Sequence, residues 1–377
     1  MNFGIYIHIP FCVKKCPYCD FTSFIHEAVP EDEYVSALIN EMGARHSKKG
    51  STVHTIYFGG GTPSLFSPVA IEAILTAISK QFFIEAPEIT IEINPGTVNL
   101  EKLKEYRDAG VSRLSIGVQS LNDSLLTTLG RIHNRQEALE AYEDAREAGF
   151  DNIGVDLIHS IPRESLSDWK RELNEVVLLG PEHISAYSLT VEEGTQFHSQ
   201  MQKGVLPILS EETQVEMLLT TEEILEKAGY EHYEVSNYAI PGFRSRHNQI
   251  YWKGGDYIGL GVSAHSYRGL DLGKRTANTS SLKEYFRLIE EKGNAVIEEE
   301  ILTKEKAMGE AVFLGLRMLE GIDLEVFKGR FGVGIETAFP DAVSELTEKG
   351  LLEITQGHLR LTKQGLLLLN EVSVRFV

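Results

Sequence analysis

The chain has 377 residues, 42% of them hydrophobic and 24% charged, with a formal net charge of −19. This ordinary globular mixture is long enough for two or three domains, and its acidic balance argues against a general nucleic-acid binder, which needs a positive field for phosphate. No run of about 18 apolar residues is there to span a bilayer, and the start MNFGIYIHIP lacks the basic and long apolar regions of a signal peptide, so a cytoplasmic protein is expected.

In chain order, β-rich runs are predicted at Ile5–Ile9, Val53–Phe58, Ile89–Ile93, Val111–Val118, Asn152–Leu157 and Ile184–Leu189. Segments with helical spacing lie between them. Glu31–Lys49 carries Tyr34, Val35, Leu38, Ile39 and Met42 on one face. Pro68–Phe82, Leu100–Ala109, Gln136–Gly149 and Ser165–Leu179 read the same way, and Gly110, Gly149 and Gly180 follow helical runs as stops. Six alternations predict parallel strands joined by crossover helices. Residues 1–195 are therefore expected to form an α/β unit of (βα)₆ type, either an open doubly wound sheet or a partial barrel. Its function belongs at the C-terminal ends of the strands.

Residues 196–300 form a middle elaboration. A helix is predicted over Glu211–Gly229, and the Gly-, Asn- and Tyr-rich stretch His232–Tyr267 predicts turns and short strands rather than a helix. Residues 301–377 read as a small winged-helix-like domain. Its helices are expected at Thr303–Leu319 and Phe339–Lys349, and its hairpin at Leu351–Thr355 and His358–Thr362 around Gln356-Gly357.

The chain's three cysteines, Cys12, Cys16 and Cys19, all fall in the loop that follows the first predicted strand. An odd, clustered set makes no disulfide framework. Thiolates in C-x₃-C-x₂-C spacing suit zinc or iron–sulfur iron. Zinc would need a fourth ligand such as His8 or Asp20. A four-iron cubane would keep one iron open for a substrate or cofactor, with Lys14 and Lys15 offsetting its negative charge.

Polar residues recur where later strands end. Gly59-Gly60-Gly61-Thr62-Pro63 follows the second strand, and successive glycines let a backbone approach a ligand closely. Glu92 in IEINPGT ends the third strand and Gln119 in SIGVQS the fourth. Asp156 lies within the apolar run GVDLIHSIP, where a buried carboxylate needs partners, and Arg131 sits in LGRIH.

The cysteine spacing at the end of a first strand resembles the radical S-adenosylmethionine (radical SAM) superfamily. The fuller set YIHIPFC, CPYCDF, GGGTPSL, NPGT, SIGVQS, LGRIH and DLIHSIP resembles the family that contains oxygen-independent coproporphyrinogen III oxidase and the HemW heme chaperones. The resemblance covers essentially the whole chain and implies a partial (βα)₆ radical SAM barrel. It implies a [4Fe–4S] cluster on Cys12, Cys16 and Cys19, whose open iron chelates S-adenosylmethionine. It also implies S-adenosylmethionine contacts from Tyr6, Gly60, Gly61, Thr62, Glu92, Gln119, Arg131 and Asp156.

Two features divide the branches of that family. The oxidases resembled here carry a further cysteine two residues after the third, where this chain has Phe21, and they extend well beyond the motif at the N-terminus. The stretch His247-Asn248-Gln249-Ile250-Tyr251-Trp252 is similar to the H-N-x-x-Y-W motif of the chaperones. The resemblance therefore implies heme binding and transfer to an apo-hemoprotein, with radical decarboxylation of coproporphyrinogen III as the alternative. His247 is the candidate heme ligand. Tyr251 and Trp252 are candidates to pack on the porphyrin, and Arg244 and Arg246 to meet its propionates. No nucleic-acid partner is expected, and a homodimer and membrane association through a partner stay open.

Overall fold

The structure is a computed structural model that describes residues 3–25, 29–45, 52–269 and 272–377. The predicted end of the first helix, at 46–49, lies outside the described residues.

Six parallel strands form the centre of a single sheet: β1 Phe3–Ile9, β2 Thr52–Gly60, β3 Phe83–Ile93, β4 Arg113–Gln119, β5 Ile153–His159 and β6 His183–Ser188. The crossover helices are α1 Glu31–Ala44, α2 Pro68–Gln81, α3 Leu100–Asp108, α4 Asp123–Leu129, α5 Arg135–Glu147 and α6 Leu166–Leu179. These agree with the predicted elements to within a few residues, apart from β3, which starts at Phe83 rather than Ile89, and α4, a two-turn helix in the loop that carries Arg131. Side-chain oxygens start all of these helices but α1, which follows Pro30; at Asn134 a capping box with Glu137 opens α5.

The strand residues alternate with period two. Ile5, Ile7 and Ile9 of β1, Leu114, Ile116 and Val118 of β4, and Ile153, Val155 and Leu157 of β5 are buried in one hydrophobic core with the helices. The opposite face carries Tyr57, Glu92, Arg113, Ser115, Gln119, Asp156, His183 and Ser185, which line a cavity. Parallel strands covered on both faces usually read as unbroken apolar runs. Here the inner face is polar because it encloses a site.

The middle region adds to both edges of this sheet. After α7 Gln196–Gln202 and α8 Glu211–Lys227, strands β7 Glu231–Glu234 and β8 Asn237–Ala239 pair antiparallel beyond β6. A helix, α9 Arg246–Trp252, then crosses to the other edge. There β9 Asp256–Leu260 pairs parallel with β1, followed by antiparallel β10 His265–Arg268, β11 Lys274–Asn278 and β12 Val296–Ile301. The result is one 12-stranded sheet. The core begun at Phe3 continues to Ala295.

One expectation is corrected here. The stretch His232–Tyr267 does contain a helix, and the whole H-N-x-x-Y-W segment lies on it. Ser245 caps α9 by accepting the Asn248 N–H. Turn-rich composition on either side hides those seven residues.

The C-terminal region has its own core, built on Val312, Phe327, Phe331, Leu346 and Leu359. A helix over Lys304–Gly315 and another over Pro340–Glu348 accompany a sheet in which Ile322–Asp323 joins the hairpin Leu352–Thr355 and His358–Leu361. Tyr267 of β10 belongs to this second core, and Arg330 donates to its hydroxyl at 2.6 Å, which pins the region to the sheet edge.

Candidate functional site

The loop after β1 brings Cys12, Cys16 and Cys19 to the mouth of a cavity of about 420 Å³ at the C-terminal ends of the central strands. That is within the range of small-molecule sites. All three thiols are partly exposed and free of disulfide. Thr62 Oγ1 donates to Cys12 Sγ at 3.6 Å, and Arg131 Nη1 donates to Cys16 Sγ at 3.9 Å. Lys14 and Lys15 lie on the same rim.

The glycine loop is shaped by close packing. Gly60 has φ +116°, and a Cβ there would stand 2.5 Å from the His8 ring. A Cβ on Gly61 would meet the Phe11 carbonyl oxygen at 2.8 Å. The Gly61 N–H donates to the Ile9 carbonyl at 2.9 Å, so this loop is fastened to the start of the cysteine loop.

Glu92 holds the other side of the loop. It accepts from the Tyr57 hydroxyl at 2.9 Å and from the Gly60 N–H at 3.1 Å. Burial raises its carboxyl to about 7; nearby Asp156 pushes the same way, and the two hydrogen bonds oppose them. Asp156 accepts from Ser115 at 2.8 Å, and burial raises it too, against hydrogen bonds from Ser185 and Ser115. Arg131 Nη2 donates to Asn94 Oδ1 at 2.8 Å and to the Gly117 carbonyl at 3.0 Å, which aims Nη1 at Cys16. Gln119 takes φ +64° at the end of β4 and turns its side chain into the cavity.

The three cysteines, Gly60, Gly61, Thr62, Glu92, Gln119, Arg131 and Asp156 thus come together around one cavity. Tyr6 does not join them. Its hydroxyl meets His8 Nδ1 at 3.0 Å, and its ring lines a second cavity of about 380 Å³. The two cavities share Asp20 and Phe21 as a wall.

His247 also departs from expectation. It is only 1% exposed, with Nδ1 2.7 Å from Thr55 Oγ1 and Nε2 2.8 Å from the Tyr251 hydroxyl. Its ring stacks on Tyr57 at 5.0 Å. Burial, and then the Arg113 charge, lower its pKa to about 3. Both ring nitrogens are thus engaged and the ring is enclosed, so neither nitrogen faces open space in this structure. Arg244 is likewise committed, to Glu231 at 3.0 Å, and Arg246 donates to the Ala86 carbonyl at 3.3 Å. Trp252 packs under the Arg317 guanidinium at 4.3 Å. The motif helix still reaches both sites, since Asn248 lines the first cavity and Tyr251 the second.

Sequence reasoning missed Tyr57, Asn94, Arg113, Ser115, His183, Ser185 and Tyr187, which also line the first cavity. A signal was there. Arg113, Ser115, Gly117 and Gln119 are spaced by two within a β run, and His183, Ser185 and Tyr187 repeat the pattern.

Comparison with known proteins agrees with this geometry. Residues 6–176 match the Radical SAM superfamily, and residues 302–368 match the HemN C-terminal domain. The heme chaperone HemW of Bacillus subtilis (strain 168) is 39% identical over 375 residues, which cover 99% of this chain and 98% of that protein. The chain belongs to the HemW-type family of radical SAM proteins. HemW of Lactococcus lactis subsp. lactis (strain IL1403) is 36% identical over 99% of this chain and 96% of its own. Among solved structures, coproporphyrinogen III oxidase (HemN) from Escherichia coli, a radical SAM enzyme, superposes with a TM-score of 0.85 at 25% identity, covering 100% of this chain and 90% of that one. The α/β fold is therefore that of the radical SAM family.

The radical SAM family implies a [4Fe–4S] cluster and S-adenosylmethionine. The donor set fits them. Three thiols face one cavity, cations surround them, and polar strand ends continue inward from the sulfurs. Among the described residues, no three His, Cys, Asp or Glu side chains converge as ligands of one ion. A cubane asks something different, because each thiolate takes a separate iron.

Proposed function

We propose that this HemW-type protein binds heme and passes it to apo-hemoproteins, holding a [4Fe–4S] cluster on Cys12, Cys16 and Cys19. The observation that carries this reading is Phe21. It stands two residues after Cys19, where the resembled oxidases carry a cysteine, and it is 62% exposed on the wall between two cavities. An exposed aromatic ring beside the cluster loop suits a flat apolar ligand better than a further thiol would.

S-adenosylmethionine belongs in the first cavity. Gly60 and Gly61 present main chain to it, packed closely against His8 and Phe11, while Thr62, Glu92, Gln119, Arg131 and Asp156 supply donors and acceptors. When bound, the cluster supplies an electron and an open iron. The protein's own work is positioning. Arg131 braces Cys16, Thr62 braces Cys12, and Glu92 ties the glycine turn to β3. Radical decarboxylation of coproporphyrinogen III is the second reading, favoured by the 0.85 TM-score to the Escherichia coli oxidase.

One anaerobic experiment separates the two. Cluster-loaded protein is given S-adenosylmethionine, reductant and coproporphyrinogen III, and separately hemin followed by an apo-hemoprotein. Heme uptake and release without protoporphyrinogen formation supports the chaperone reading, and protoporphyrinogen formation overturns it. None of the described helices is long and apolar enough to cross a membrane, and we place this work in the cytoplasm. Sedimentation of the loaded protein, alone and with membranes, tests a homodimer and membrane association through a partner.

A further inference from the structure

The second cavity has a composition unlike the first. Tyr6, Phe21, Tyr251 and Tyr257 give it aromatic walls, and His8 and His265 are its two imidazoles. His8 is committed, with Nδ1 3.0 Å from the Tyr6 hydroxyl and Nε2 2.9 Å from the Thr22 carbonyl. His265 begins β10 and is exposed, and among the described residues its ring takes part in no hydrogen bond. The cavity therefore holds one free imidazole among aromatic rings.

The sheet register accounts for the space beside it. Tyr6 on β1 pairs with Gly259 on β9. A Cβ at Gly259 would lie 2.1 Å from the His265 carbonyl oxygen. The missing side chain lets β10 close against β9, with no side chain at 259 standing between Tyr6 and His265. The Lys15 ammonium, which lines the first cavity, donates to the carbonyl of Phe21 in the shared wall at 3.0 Å.

A planar iron macrocycle needs an apolar slot, an imidazole for its metal and a cation near its carboxylates. We propose that the second cavity is the heme site and that His265 provides the axial ligand to the iron. This assignment rests on the heme reading above and names its site. It also explains a juxtaposition. Asp20 and Phe21 follow Cys19 directly and wall both cavities, so a cluster that fixes Cys19 fixes the partition against which heme would lie.

The test is a hemin titration of the cluster-loaded protein, followed by absorbance and electron paramagnetic resonance. Wild type, His265→Ala and His265→Tyr are compared at equal iron and sulfide content, which controls for folding. His265→Ala should weaken hemin binding at least about tenfold and remove the imidazole-ligated signature. His265→Tyr should replace that signature with a phenolate-to-iron charge-transfer band. Wild-type affinity and spectrum in both variants would overturn the site while leaving heme binding intact. No Soret change in the wild-type protein would instead overturn the heme reading itself, and this assignment with it.

Discussion

Glu92 accepts the Gly60 N–H at 3.1 Å, joining the end of β3 to the turn that ends β2. The same carboxyl is raised by burial to about 7, from an ordinary value of 4.5. Because the folded state keeps this proton to higher pH than the unfolded chain, its contribution to stability is fully present below about 4.5 and lost as pH rises through about 7. Glu92→Gln keeps an acceptor and removes the titration. Thermal unfolding should fall between those pH values in the wild type relative to the variant. Parallel pH profiles would show that Glu92 does not titrate there.

Gly60 tests the packing of the same turn. Gly60→Ala puts a methyl 2.5 Å from the His8 ring at φ +116°. Gly110→Ala is the comparison, with φ +106° and open space around it. Both carry backbone strain of about 1–3 kcal/mol. Only Gly60→Ala adds the clash, so urea unfolding should place it at least about 1 kcal/mol below Gly110→Ala.

The cysteines should act as a set. Cys12→Ala, Cys16→Ala and Cys19→Ala are each expected to drop reconstituted iron from about four per chain to below one. Iron and sulfide assays, with zinc measured alongside, check this. One tightly bound zinc per wild-type chain would rule out the cluster.

Arg131 acts on the site through Asn94, Gly117 and Cys16. Arg131→Met removes those donors while keeping most of the volume. The affinity for S-adenosylmethionine should fall about tenfold or more with the cluster retained. Equilibrium dialysis against iron content measures both. Unchanged affinity would make the arginine a bystander.

His247 is expected to matter for folding and not for ligation. His247→Ala strands the Thr55 and Tyr251 hydroxyls beside a new hole. It should cost about 2–4 kcal/mol of stability in denaturant unfolding. The hemin spectrum of the folded fraction should stay as in the wild type. Loss of that spectrum at native stability would return His247 to the role its motif suggested.

The site was legible where chemistry gathers in short motifs. Cys12, Gly60, Glu92, Gln119 and Asp156 each sit at or near the end of a β-rich run, and parallel strands bring such ends together whatever the detailed packing. Tyr6 and His247 stand outside the first cavity's lining for one reason. Each lies in a recognisable motif, but motif membership does not say which way a ring points. Two short contacts, to His8 and to Thr55, decide that in three dimensions. The sheet's extension was harder to read. Strands β9 to β12 are mostly four to six residues long, and β12 carries Glu298, Glu299 and Glu300 in succession. An edge strand facing water needs no apolar alternation, so little periodicity marked it.

The pairing of β1 between β2 and β9 sets an order of assembly on the ribosome. The strand that leads into Cys12 is made well before one of its neighbours, which begins at Asp256. At ordinary elongation rates about 200 residues, or roughly 10–40 s, separate the two flanks of that strand. Throughout that interval the cysteine loop has one side of its housing and lacks the other. Iron delivered early would meet accessible thiols, whereas the cavity with His265 comes into being only when β9 and β10 have been made and docked. The cluster pocket can therefore be furnished while the second chamber does not yet exist.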